Sequence, residues 1–168
     1  MGKWVKGDLH VHTQNCNDGT LSVDEIIRRS KEYIDFIGIS GHSYDIPNCF
    51  EGQYAEVLAA REKYPELPIF HTAEQNFPLQ RHTMFVTVPE NKEFELQREL
   101  VQNFHRQSGH EGQEEACCEL RYVKEGWGEE STFMIYNHPN DPDVPIEDFR
   151  VIAKENDVFK VIACVDRG

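Results

Sequence analysis

Short apolar runs alternate along the chain with longer stretches whose apolar residues recur at helical spacing, which predicts strands separated by helices. A first strand is expected around Trp4 to Val11. Thr20 or Ser22 then caps a helix over Val23 to Tyr33, and Glu25, three residues after Ser22, has the spacing of a capping box. Phe36-Ile37-Gly38-Ile39-Ser40 reads as a second strand. Residues 52 to 63 read as a helix stopping before Pro65, Pro68-Ile69-Phe70 as the start of a third strand, and Met84 to Val88 as a fourth. Residues 91 to 106, with apolar Phe94, Leu96, Leu100, Val101 and Phe104, predict a helix, and residues 111 to 125 another. Thr132 to Tyr136 gives a fifth strand, Ile146 to Lys154 a helix and Val158 to Val165 a sixth strand. This order predicts an α/β fold with a mainly parallel sheet and covering helices. With no repeat, low-complexity segment or linker, one domain over residues 1–168 is expected. That length buries a real core but is short for a full eight-unit barrel of roughly 250 residues.

Charge narrows the choice of partner. Lys and Arg total 17 and Asp and Glu total 30, so the net charge is 17 − 30 = −13. An acidic surface repels polyanions and argues against a nucleic-acid partner. A small phosphorylated substrate stays compatible if bound metal ions reverse the local field. No run of 18 apolar residues is present, and Met1 to Gly7 lacks the apolar stretch of a signal peptide, so no membrane association is expected. The cysteines Cys16, Cys49, Cys117, Cys118 and Cys164 are odd in number and contain no Cys-x-x-Cys, which fits a reduced, cytoplasmic protein.

Candidate chemistry gathers at predicted strand ends. In Asp8-Leu9-His10-Val11-His12-Thr13, strand alternation sends His10 and His12 to the same side, as two ligands of one metal require. Neutral imidazole suits zinc, iron and manganese. Asn17-Asp18-Gly19 is a turn signal, with Asp18 either a turn residue or a neighbour of the metal site. His42 follows the second strand and Glu74 closes the third, where a carboxylate can bridge two cations. His82 opens the fourth strand, and His138, held extended by Pro139, closes the fifth. Taken singly, each is as well explained by an ordinary structural histidine or surface carboxylate. Together, five histidines and one glutamate recur at strand termini, which converge on one face of a parallel barrel. His105 and His110 fit solvated helical faces, and His71, three residues before Glu74, could point either way.

In order and spacing these segments resemble the PHP (polymerase and histidinol phosphatase) family. The resemblance rests on Gly7-Asp8-Leu9-His10-Val11-His12-Thr13, Asp18-Gly19-Thr20-Leu21-Ser22 and Phe36-Ile37-Gly38-Ile39-Ser40-Gly41-His42. It continues with Glu74, His82 leading an apolar strand, and Asn137-His138-Pro139, so it spans residues 7 to about 139. It implies a distorted TIM-like (β/α) barrel of the seven-unit type, incomplete here. It further implies up to three zinc, manganese or iron ions at the strand ends, and hydrolysis of phosphomonoesters or phosphodiesters; other members are polymerase-associated exonucleases. Carried over residue by residue, the resemblance places His10 and His12 on a first ion, with Glu74 bridging to a second. His82 and His138 fall on the second or third, and His42 on the third.

Two positions depart from the family pattern. Gly41 stands where the family has the Asp of an Asp-His pair, and the family's late Asp-x-His is missing, its nearest counterpart being Asp166-Arg167-Gly168. Gly41 either vacates a ligand position or supplies backbone freedom at a strand-to-loop turn. Either the barrel is truncated, or a second subunit of a homo-oligomer completes the site, or the site works with fewer ligands.

Clustered dications would screen a phosphate ester's charge, lower the pKa of bound water and, about 3.5–4 Å apart, hold attacking and leaving oxygens in line. His71 or Asp18 could carry a proton from the outer shell. Arg81 could contact a phosphate oxygen or be an uninvolved surface residue. The leading expectation is a phosphoesterase acting on a phosphomonoester or small phosphodiester. The alternative is a degenerate metal-binding or structural module without turnover, which Gly41 and the missing motif favour. A nucleic-acid-processing role is disfavoured by the net charge and the lack of a basic aromatic groove.

Overall fold

The computed structural model describes residues 2–16, 18–42, 49–76, 82–89, 92–104, 121–123, 125–127, 132–137 and 162–163. The elements in chain order are β1 (Gly7–Val11), α1 (Val23–Ser30), β2 (Phe36–His42), α2 (Cys49–Lys63), β3 (Ile69–Asn76), β4 (His82–Thr87), α3 (Glu93–Phe104), β5 (Thr132–Tyr136) and β6 (Ile162–Ala163). Residues 121–123 and 125–127 are also helical. The expected helix over 146–154, most of that over 111–125 and the outer parts of the sixth strand lie outside the described residues. The chain divides into two compact units, Met1–Ala73 and Glu74–Gly168, and the division falls within β3.

In the first unit β1 pairs parallel with β2, which neighbours β3. α1 forms where expected: the Ser22 side chain accepts from the Glu25 N–H at 3.2 Å, satisfying one orphan donor of the first turn. The reciprocal half of a capping box is not made, because the Glu25 carboxylate takes the guanidinium groups of Arg28 and Arg29, each at 2.7 Å. The helix ends at Ser30 rather than Tyr33; Ser30 bonds back to the Ile26 carbonyl and Tyr33 lies out in solvent. Val23 and Ile27, one turn apart, bury against Ile37 and Ile39 of β2, Val57 and Ala60 of α2, and Ile69 of β3. Each fully buried aliphatic side chain contributes roughly 1.5–3 kcal/mol over an exposed one, enough to fix both helices on one side of these strands.

The β1–β2 register contains a shift that alternation alone does not foretell. Asp8 pairs with Ile37 but Val11 pairs with Ile39, so β1 advances three residues while β2 advances two. The extra residue resets the side-chain parity. Val11 joins Ile39 on the helix-facing core, which sends His10 and His12 to the other side. Two local features support the shift. The Asp8 carboxylate accepts the His10 N–H at 2.9 Å, and β2 has a glycine, Gly38, where a Cβ would come within 2.8 Å of the Leu9 backbone.

The second unit corrects the expectation of a mainly parallel sheet. Here β3 and β4 are antiparallel, β4 and β5 are antiparallel, and β5 and β6 are parallel, so the protein is a mixed α/β structure. The cause is chain length. Only residues 77–81 join β3 to β4, whereas a parallel crossover needs a dozen or more. α3 covers β4 through buried Leu96 and Leu100, and Gln97 donates to the Phe85 carbonyl at 2.7 Å.

Candidate metal centre

Four of the candidate residues meet in the first unit. His10 and His12 flank Val11 at the end of β1, Asp18 lies in the loop leading to α1, and His42 is the last residue of β2. The Nε2 atoms of His10 and His12 are 2.8 Å apart. The Asp18 carboxylate oxygen Oδ2 lies 2.7 Å from His12 Nδ1 and 3.0 Å from His42 Nε2. The His12 and His42 rings meet edge to face at 4.5 Å. His12, Asp18 and His42 each offer a ligand atom within 4.8 Å of the others.

Asp18 sets the chemistry of His12. Its Oδ2 sits against His12 Nδ1, and the other ring nitrogen, Nε2, faces His10. Burial opposes ionisation of Asp18, but the hydrogen bond from His12 and the charges of His12 and His42 outweigh it and hold the carboxyl below the usual range. Two imidazole nitrogens at about 2.0–2.1 Å from one tetrahedral ion would stand about 3.3–3.4 Å apart, so the rings, now 2.8 Å apart, need spread by only about half an ångström to share one. Imidazole nitrogens plus carboxylate oxygen form the mixed donor set that suits divalent zinc, iron or manganese. The residues therefore fit a transition-metal ion.

The second unit holds Glu74 and His82. Glu74, on β3, is fully buried. Its Oε1 accepts from the Asn137 side chain at 2.8 Å and lies 3.1 Å from His82 Nδ1. Asn137, just past β5, also donates its backbone N–H to the His82 carbonyl at 2.9 Å. Along the sequence nothing marks Asn137 for this role except its place beside His138. His138 and Arg81 lie outside the described residues, as do His105, His110 and Asp166-Arg167-Gly168.

His71 and Gly41 both lie buried within strands of the first unit. His71 is buried on β3 with its ring 4.9 Å from that of Tyr54 on α2. Residues three apart on a strand face opposite sides, so β3 cannot present His71 and Glu74 together. His71 belongs to no cluster of candidate ligand atoms among the described residues. Gly41 is a buried residue within β2, which runs on to His42, rather than part of a turn. Cys16, in the Asp18 loop, is buried and reduced. No helix among the described residues is long and apolar enough to cross a membrane.

No protein-family model matches the sequence, and no curated protein matches it either. Among solved structures the chain resembles a candidate metal-dependent phosphoesterase from Bifidobacterium adolescentis. The TM-score is 0.53 at 10% identity, over 93% of this chain and 76% of that one. At that identity the likeness is one of fold.

Proposed function

We propose that this protein is a PHP-type metal-dependent hydrolase that cleaves a phosphate ester. The observation that carries the reading is the convergence of His10, His12, Asp18 and His42, with facing ring nitrogens 2.8 Å apart and a shared carboxylate. The fold likeness to a candidate metal-dependent phosphoesterase agrees with it. The proposed ligands are those the sequence resemblance names, His10, His12, His42, Glu74, His82 and His138, with Asp18 added on its geometry.

A divalent transition ion held by His10, His12, Asp18 and His42 would supply Lewis acidity and lower the pKa of water, making attack on a charged phosphate ester feasible near neutral pH. Asp18, beside His12 Nδ1, would orient the ring with Nε2 toward the ion. Asn137 orients the Glu74 carboxylate and neutralises none of its charge, leaving it able to hold a cation. His71, packed on Tyr54, is given no proton-transfer step.

The test combines elemental analysis of metal-replete protein with an assay on a chromogenic phosphomonoester and a small phosphodiester. At least about one zinc, manganese or iron per chain, with hydrolysis abolished by chelator and restored by metal, is expected. Metal without turnover on either ester would favour the non-catalytic metal-binding module.

A further inference from the structure

Asp18 reaches the histidines only through the loop that carries it. That loop folds back on Thr13: the Cys16 N–H donates to the Thr13 carbonyl at 2.9 Å, the Gly19 N–H to the Cys16 carbonyl at 3.4 Å, and the Asn15 N–H to Thr13 Oγ1 at 3.3 Å. A Cβ at Gly19 would fall on the Thr13 backbone, so only glycine allows the chain to double back this tightly. These bonds give the loop its shape but not its place in the unit.

Its place comes from α2. Glu56 Oε1 accepts from Gln14 Nε2 and from Asn15 Nδ2, both at 3.1 Å. The other oxygen, Oε2, accepts the Val23 N–H at 2.8 Å, at the first residue of α1. A single carboxylate thus ties down the segment on both sides of Asp18. One turn earlier on α2, Gln53 Oε1 lies 4.0 Å from the Cys16 thiol. The Gln53 amide donates to the carbonyls of Ile39 and Thr72, at 3.3 and 3.0 Å, which locks α2 to the strand that ends in His42. The loop and His42 therefore share one rigid reference.

We infer that Glu56 is a positioning residue for Asp18: it holds the loop where the Asp18 carboxylate can engage His12 and His42. Its hydrogen bonds go to Gln14, Asn15 and Val23, none of them a candidate ligand. The effect on Asp18 placement is independent of any activity; the effect on metal affinity rests on the proposed function.

The test uses metal-free full-length chain labelled with nitrogen-15 at histidine, and follows the ring nitrogens of His12 and His42 at fixed pH. Asp18→Asn is expected to move both sets of signals. Glu56→Ala should reproduce that change and add nothing in the Asp18→Asn background, as expected of two residues acting through one contact. Glu56→Gln, which can keep an acceptor for the Val23 N–H only by turning its own NH2 toward the Gln14 and Asn15 donors, should fall between, and it serves in place of Glu56→Ala if that variant does not fold. Ser22→Ala weakens the start of α1 without touching the Glu56 contacts, and should leave both rings unmoved. Rings left in place by the Glu56 variants, moved equally by Ser22→Ala, or indifferent to Asp18→Asn would each overturn the inference. A cobalt titration read by visible absorbance then gives the consequence. Glu56→Ala should weaken the same binding step as Asp18→Asn, by roughly 10- to 100-fold. Wild-type protein that binds no cobalt would sink the proposed function and leave the ring signals to decide the role of Glu56.

Discussion

Glu74 at the far end of β3 and His82 at the start of β4 face one another, Oε1 to Nδ1, at 3.1 Å. The carboxylate is fully buried, and an ionised carboxylate out of water is costly unless a cation or several donors compensate. Glu74→Gln removes that charge and keeps the shape. Metal-free, the variant should melt at or above the wild-type temperature. With manganese or zinc added, wild type should gain stability and the variant should gain much less. Melting curves with chelator and with metal check this, and equal metal-induced gains would remove Glu74 from the ligand set.

Replacing both His10 and His12 by Ala should strip bound transition metal and remove the stabilisation it gives. Binding to the folded state alone contributes about 2.7 kcal/mol at a free metal concentration 100 times Kd. The chelated forms of wild type and double variant should differ little, because both rings are only partly buried. Metal content and melting temperature that match wild type in replete conditions would show the pair to be ordinary surface histidine.

Gly41→Asp distinguishes a vacated ligand from a packing position. Position 41 alternates with Ile37 and Ile39, which face the apolar core of the first unit, and it is buried. A carboxylate there should destabilise by about 2 kcal/mol or more, lowering the melting temperature by roughly 4–8 °C, with no gain in metal stoichiometry. A manganese titration beside the melting curves decides it: added metal or activity would mean that the strand end turns the new carboxylate toward His42.

Asp24 is held below its usual 3.8 by hydrogen bonds from Lys63, first, and Tyr64. Lys63 Nζ lies 2.6 Å from Asp24 Oδ1 and the Tyr64 hydroxyl 2.8 Å from the same oxygen. A depressed carboxyl pKa stabilises the fold above the unfolded value and stops doing so as pH falls through the folded value. Asp24→Asn should therefore melt below wild type at neutral pH, with the gap narrowing as pH drops beneath about 3.8 and shrinking in high salt, since the pair is exposed. A gap unchanged by acid would point to the lost hydrogen-bond geometry alone.

The strands and helices at the front of the chain were legible because local signals agree there. Ser22 caps α1 as its residue type requires, the apolar run ending in Ile39 became β2, and Thr132–Tyr136 became β5 without adjustment. The direction of β4 was not legible from apolar patterning, which is the same for a strand running either way. It matters because His82 opens its strand while Glu74 and Asn137 stand at the ends of theirs. In an all-parallel sheet His82 would sit on the opposite edge. The short link 77–81 forces β4 to turn back, pairs Asn76 with His82, and brings the three together.

Spacing by two is enough to put His10 and His12 on a common side, since a strand has no other choice. Which side that would be depended on the register shift between Asp8 and Val11, set by burial of Val11 against Ile39 and by the room left at Gly38. Asp18 reads as a turn residue in the sequence, and a turn is what it occupies. Its engagement of two histidines, 24 residues apart from one of them, depends on the fold of the loop back on Thr13 and on the contacts that α2 makes with it through Glu56. Ligand types and their order thus come from the sequence through local geometry, whereas their convergence comes from pairing and packing between segments distant along the chain, whose mutual placement no local pattern encodes.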